Sequence, residues 1–195
     1  MPHTKGDKKM AKKTLWDGAK IMMVVALKAK KDGAKLFIQR VSHEIFGEVV
    51  YISNGHAIYP IESSVFDENA MKYGYPMASS NMDLYKIIRD AYDKNEHNGE
   101  YTPITFDNKP NLTTRIVRYN KGYAMLNVVY TDLVDYLPSA LQNGDALKVQ
   151  DDKNPFVNYE ENCDLGYCIL PIYNSKGNGN KFEEIIKDLS CIVEW

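Results

Sequence analysis

Short apolar blocks separated by turn-forming residues run along most of this chain, and they predict a sheet-rich fold. "IMMVVALKA" (21–29) and "KLFIQRVSH" (35–43) flank "KKDG" and read as two strands joined by a turn at Asp32-Gly33. "GEVVYISNG" (47–55) reads as a third strand, with "HAIYPIESS" (56–64) as its continuation or partner. In this stretch Val50, Ile52, His56, Ile58 and Pro60 fall on one side, and Ala57, Tyr59 and Ile61 on the other. Pro60 has no N–H to give a ladder, which predicts an edge strand or a strand end. Residues 67–80 are rich in turn formers and read as a loop.

A helix is expected next, with Ser80 as its cap, Asp83 three residues on, and an apolar stripe of Leu84, Ile87, Ile88 and Ala91. "YTPITFDN" (101–108), "LTTRIVRYN" (112–120) and "YAMLNVVYT" (123–131) read as three strands. A second helix begins at Thr131 and carries Leu133, Leu137 and Leu141, with Gly144 past its end as a C-cap. Pro138 lies deep in that segment, so the helix is expected to be short or kinked. Three more strands follow in "ALKVQDD", "PFVNYEE" and "GYCILPIY", then a flexible "KGNGNK" and a final helix or helix–strand over 182–195.

One piece of grammar occurs twice. The decapeptides from Gly55 and from Gly166 share Gly, Ile, Pro, Ile and Ser at matching places, which points to a duplicated unit. Composition adds little to this picture. The net charge of −2 does not describe a general nucleic-acid binder, although residues 5–13 are rich in lysine and 151–164 in acids. Fourteen tyrosines suit half-buried sheet surfaces and interfaces alike. Three cysteines, Cys163, Cys168 and Cys191, make no disulfide framework and fit a reducing cytoplasm. With no paired cysteine knuckle and four scattered histidines, neither a metal nor any other cofactor is expected. No apolar run is long enough to span a bilayer, and "IMMVVAL" is better read as a core strand than as a signal segment.

The motifs themselves resemble those of the bacterial DNA sliding clamps, the beta subunits of DNA polymerase III. "SNGHAI" at Ser53–Ile58 is similar to that family's Thr-Asp-Gly-His-Arg-Leu signature. "NPFVNYEENCDLGYCILPIYNS" resembles its closing segment, with Leu170-Pro171-Ile172 where the family has Met-Pro-Met. "LNVVYTDLVDYLPSALQNGDALKVQDDKNP" looks like the family's approach to that segment. The resemblance implies an α+β, sheet-rich, clamp-like architecture built from repeated β-α-β-β-β units with mostly antiparallel sheets. It also implies a basic tail over 1–13, one clamp-like lobe over 14–120, and a second over 121–195 with a C-terminal extension. A peptide-binding pocket would be formed by Ser53, Gly55, His56 and Ile58 on one wall and by Cys168, Leu170, Pro171 and Ile172 on the other. Ala57 and Tyr173 stand where the family keeps arginines, so the pocket would be more apolar and read a different peptide. DNA contacts would come from Lys8, Lys9, Lys12 and Lys13 of the tail and from Lys86 and Arg89.

The function implied is non-catalytic: a cytoplasmic homo-oligomer that binds DNA and short peptides of DNA polymerase or other DNA-processing partners, with no membrane role. No G-x-S-x-G, H-E-x-x-H or phosphate loop supports an enzyme, and a His56–Cys168 pair would lack an orienting third group. The alternative is a phage or mobile-element interaction protein that binds or inhibits a host factor without a clamp role. Oligomeric state separates the two.

Overall fold

The computed structural model describes residues 16–142, 147–172 and 184–187. The tail lysines at 8, 9, 12 and 13, Gly144, Tyr173, the "KGNGNK" segment and most of the expected helix or helix–strand over 182–195 lie outside these residues. The chain is α+β. A single antiparallel sheet of nine strands runs in the order β1-β2-β3-β9-β8-β7-β4-β5-β6. Its strands are β1 (Phe37–His43), β2 (Gly47–Ser53), β3 (Ala57–Glu62), β4 (His97–Lys109), β5 (Leu112–Tyr119), β6 (Gly122–Asn127), β7 (Lys148–Val149), β8 (Phe156–Glu160) and β9 (Leu165–Ile169). Each strand expected between residues 35 and 173 has a counterpart, although Val128–Thr131 of the expected 123–131 strand are helix, and residues 21–29 are not a strand.

That segment lies in a helix, α1 (Gly18–Asp32). Its buried residues are Gly18, Ile21, Met22, Val25, Ala26 and Ala29, the three-and-four spacing of one helical face. The Asp17 carboxylate accepts the Lys20 N–H at its start, and Gly33, at φ 65°, ends it as a left-handed cap whose N–H bonds the Ala29 carbonyl. Asp32-Gly33 is therefore a helix stop, not a hairpin turn. A second correction follows at α2 (Ser63–Tyr73), which occupies the first half of the expected 67–80 loop and buries Phe66 and Ala70.

The helix α3 (Leu84–Lys94) is present but differently capped. Asp83 accepts the Lys86 N–H, while Ser80 has another task. Ser80 Oγ accepts the Ile38 N–H at 3.0 Å, and the Ser80 N–H donates to the Ile38 carbonyl at 2.8 Å. Together with Ser79 Oγ, which accepts the Arg40 N–H, this covers the outer edge of β1. The second predicted helix breaks at Pro138, as expected. It is a short α4 (Val128–Thr131), a 3-10 stretch over Asp132–Tyr136, and α5 (Ser139–Gln142).

Pro60 overturns the edge-strand expectation. β3 lies inside the sheet, between β2 and β9. The ladder with β9 covers only Ala57↔Ile169 and Ile58↔Cys168, so it stops short of Pro60, and no partner there needs the missing N–H.

Side-chain alternation assigns the two faces of the sheet. Tyr51 and Gly166 face α3: the Tyr51 and Tyr85 rings lie 5.6 Å apart, and a Cβ on Gly166 would meet Ile88. Tyr59, Ile61 and Asn158 face the other way. There Gly18 packs on Ile61, the Tyr59 hydroxyl donates to the Tyr130 carbonyl, and Asn158 Nδ2 donates to the Leu141 carbonyl. α1, α2 and the α4–α5 stretch thus share one face, and α3 covers the opposite one. With both faces covered, β2 is buried from Val49 to Ser53 and β9 throughout. Among the described residues no helix is long and apolar enough to cross a membrane.

Candidate functional site

The turn between β2 and β3 is the local seed of the site. Gly55 takes φ 84°, a conformation that a side chain would strain. Around it, Ser53 Oγ accepts the Gly55 N–H at 3.0 Å and Asn54 Oδ1 accepts the His56 N–H at 3.2 Å. This turn leaves the His56 side chain exposed, beside the Tyr130 ring at 6.3 Å between centroids and 26° between planes. Asn54 Nδ2, buried, donates to the Tyr130 hydroxyl at 2.8 Å. Burial, against that hydrogen bond, pushes the Tyr130 phenol up to about 12, so it stays neutral near physiological pH.

β9 brings the second signature alongside. The Leu170 N–H donates to the His56 carbonyl at 2.8 Å, and two residues on the Ile172 N–H donates to the Met125 carbonyl of β6 at 2.8 Å. The extended segment Leu170–Ile172 thereby bridges β3 and β6 and forms an apolar floor on which Leu170 is 38% exposed. Above it opens a cavity of about 480 Å³, a volume ordinary for a ligand site. Asn127 and Tyr130 at the β6–α4 junction, and Lys28, Lys31 and Asp32 at the end of α1, add further walls. The turn of the β4–β5 hairpin, Lys109–Leu112, completes the lining.

Of the pocket residues read from sequence, His56, Leu170, Pro171 and Ile172 line this cavity together. Ser53, Ile58 and Cys168 are buried inside the sheet, with Ile58 opposite Cys168 in register. Gly55 holds the turn, and no atom stands within 4 Å of where its Cβ would be. Its role is backbone shape at the cavity edge. The Cys168 thiol, fully enclosed, is pushed up to about 12 by burial, which leaves no thiolate to act as a nucleophile. Among the described residues no three His, Cys, Asp or Glu side chains are grouped to hold a metal ion.

Lys86 and Arg89 sit on α3, across the sheet from α1. Arg89 Nη1 donates to the Tyr159 hydroxyl at 3.0 Å and pairs with Asp164 at 3.4 Å, so its charge is engaged within the fold. Tyr85 and Tyr159 also donate to the Asp164 carboxylate. Residues that sequence reasoning missed are Lys28, Lys31 and Tyr130, together with the hairpin turn at 109–112. The helical spacing of α1 was a usable signal for the first two; nothing local pointed to the hairpin.

No protein-family model, curated protein or solved structure matches the chain.

Proposed function

We propose that this chain is a non-catalytic, sliding-clamp-like protein that receives a short peptide of a DNA-processing partner at the β3–β9 junction and works on DNA as a homo-oligomer. One observation carries the reading. The two signature segments, 53–58 and 165–172, become adjacent in space, and His56 and Leu170–Ile172 share one cavity. An aliphatic floor beside a rigid turn suits a hydrophobic anchor side chain, the usual centre of a peptide contact. The strand order supports the same reading. Two three-strand meanders, β1-β2-β3 and β9-β8-β7, meet back to back, each preceded in the chain by helix on the same face, which matches the α-β-β-β part of the expected unit.

DNA contact is assigned to α1 in this reading. Its exposed side carries Lys30, outside the His56–Leu170 cavity, whereas Arg89 on α3 is tied to Tyr159 and Asp164. Phosphate contacts need unengaged cations, and Lys30 supplies one on α1.

The test is solution mass by light scattering, with and without nicked circular DNA, alongside binding of a labelled peptide bearing a Leu-Phe anchor. A closed oligomer retained on the circle, with peptide binding lost in Leu170→Asp, is the expected result. A strict monomer indifferent to DNA would leave the interaction-protein reading in place of the clamp. Failure of the native protein to bind any anchored peptide would sink the pocket.

A further inference from the structure

The cavity has a charge pattern that its apolar floor does not explain. Three lysines line it: Lys28 and Lys31 from the last turns of α1, and Lys109 from the β4–β5 hairpin. Against them stands one carboxylate, Asp32, which Lys28 Nζ already engages at 3.2 Å. Lys31 and Lys109 are exposed and have no carboxylate within ion-pair distance among the described residues. The remaining polar groups of the lining, His56, Asn111, Asn127 and the Tyr130 phenol, add no negative charge at neutral pH.

Neither unpaired lysine is on a floppy element. Lys31 belongs to a helix capped at Asp17 and Gly33. Lys109 pairs with Leu112 across a two-residue turn in which Asn111 takes φ 65°, a conformation asparagine tolerates better than most residues. The two cations therefore enter the same cavity from two separate walls, beside the exposed Leu170. Cations placed this way complement carboxylates on a bound chain and act chiefly on partner choice.

We infer that the pocket selects peptides whose hydrophobic anchor is flanked by acidic residues, with Lys31 and Lys109 receiving the carboxylates. The inference rests on the pocket reading above and names the peptide chemistry within it. Both contacts are solvent-exposed, so together they give about a two- to thirtyfold preference at low salt. At about 1 M salt, where screening acts within roughly 3 Å, the preference should vanish.

The experiment uses fluorescence anisotropy with the full chain and two labelled ten-residue peptides. Both carry Leu-Phe at the centre; one is flanked by Asp and Glu, the other by Asn and Gln. The acidic peptide should bind more tightly at about 50 mM salt and equally at about 1 M. The double variant Lys31→Glu, Lys109→Glu should lose or reverse that preference while keeping its affinity for the amide peptide. Equal binding of the two peptides by the native protein at low salt would overturn the inference and leave the pocket standing. Loss of both peptides would overturn the pocket itself. A duplex DNA competitor forms the last arm. If the double variant loses DNA affinity but keeps its preference for the acidic peptide, Lys31 and Lys109 serve phosphate and the inference fails.

Discussion

The backbone amide of Leu170 donates to the carbonyl of His56 across 2.8 Å, so the residues facing each other at the cavity also close its base. Their side chains are left free to meet a ligand, because the contact that joins them is between main-chain atoms. Substitutions at either side chain therefore test binding without cutting the seam.

Leu170→Asp is the sharpest of these. Leu170 is 38% exposed, and replacing it should change folding stability by no more than about 1 kcal/mol. An anchor side chain buried against it would lose roughly 1.5–3 kcal/mol, about ten- to a hundredfold in affinity. Titration of an anchored peptide by anisotropy, with thermal melting as the control, reads both numbers. Unchanged affinity would remove Leu170 from the site.

Tyr59→Phe probes the support beneath Tyr130. The buried Tyr59 hydroxyl donates to the Tyr130 carbonyl at 2.7 Å; its loss leaves that acceptor only the Asp132 N–H, at a cost of about 0.5–1.5 kcal/mol. Denaturant unfolding should show this as a lower midpoint with an unchanged slope. A neutral substitution would mean that the Asp132 N–H alone satisfies the carbonyl.

Gly55 and Gly166 hold matching places in the repeated decapeptide yet resist substitution for different reasons. Gly55→Ala should cost about 1–2 kcal/mol through its φ of 84°, and Gly55→Asn should recover part of it. Gly166→Ala meets the Asn158 carbonyl oxygen, Ile88 Cγ2 and Tyr159 Cδ2, all at 2.8 Å. That overpacking costs about 1–3 kcal/mol, and asparagine, being larger, should make it worse. Comparative melts of the four variants separate conformational from steric loss. Rescue of Gly166 by asparagine would contradict the packing account.

Asp164 makes stability depend on acid. Burial alone would raise its pKa, but hydrogen bonds from Tyr159 and Tyr85 and the charge of Arg89 outweigh it and hold the pKa below the ordinary carboxylate value. A depressed folded pKa adds stability that is fully present above about pH 4 and is lost as pH falls through the folded value. The side chain is 53% exposed, so solvent screening limits the effect to about 1 kcal/mol or less. Melting curves of the native chain and Asp164→Asn should differ at about pH 6 and converge near pH 2. A constant gap across that range would show that the carboxylate's charge is not involved.

Much of this fold was legible in the sequence. β-branched and aromatic blocks bounded by Gly, Asn and Pro marked the strands from residue 35 onward, and Pro138 marked the broken helix. α1 was misread because its Met-Val run looks like a buried strand. Yet the residues that pack are 18, 21, 22, 25, 26 and 29, and only a helix puts those on one face. Asp32-Gly33 suited either reading, since hairpin turns and helix caps both use positive φ. Pro60 misled for a different reason: the ban on proline in central strands applies only where a neighbour seeks its N–H, and the β3–β9 ladder is too short to do so. His56 and Leu170–Ile172 were found through the repeated decapeptide. Lys109 and Tyr130 could not be, because their convergence with the α1 lysines depends on a strand order that no local pattern encodes.

The shortness of that ladder has one more consequence. Two register pairs join β3 to β9, against five for β2–β3 and five for β8–β9. Beyond them the Leu170 amide adds one bond across that seam to His56, and the Ile172 amide ties the same segment to β6, both under the cavity. A peptide resting on these residues would cover both bonds, so occupancy should be recorded as slowed deuterium uptake at those two amides. The site would then act as a clasp on the sheet as well as a seat for its ligand.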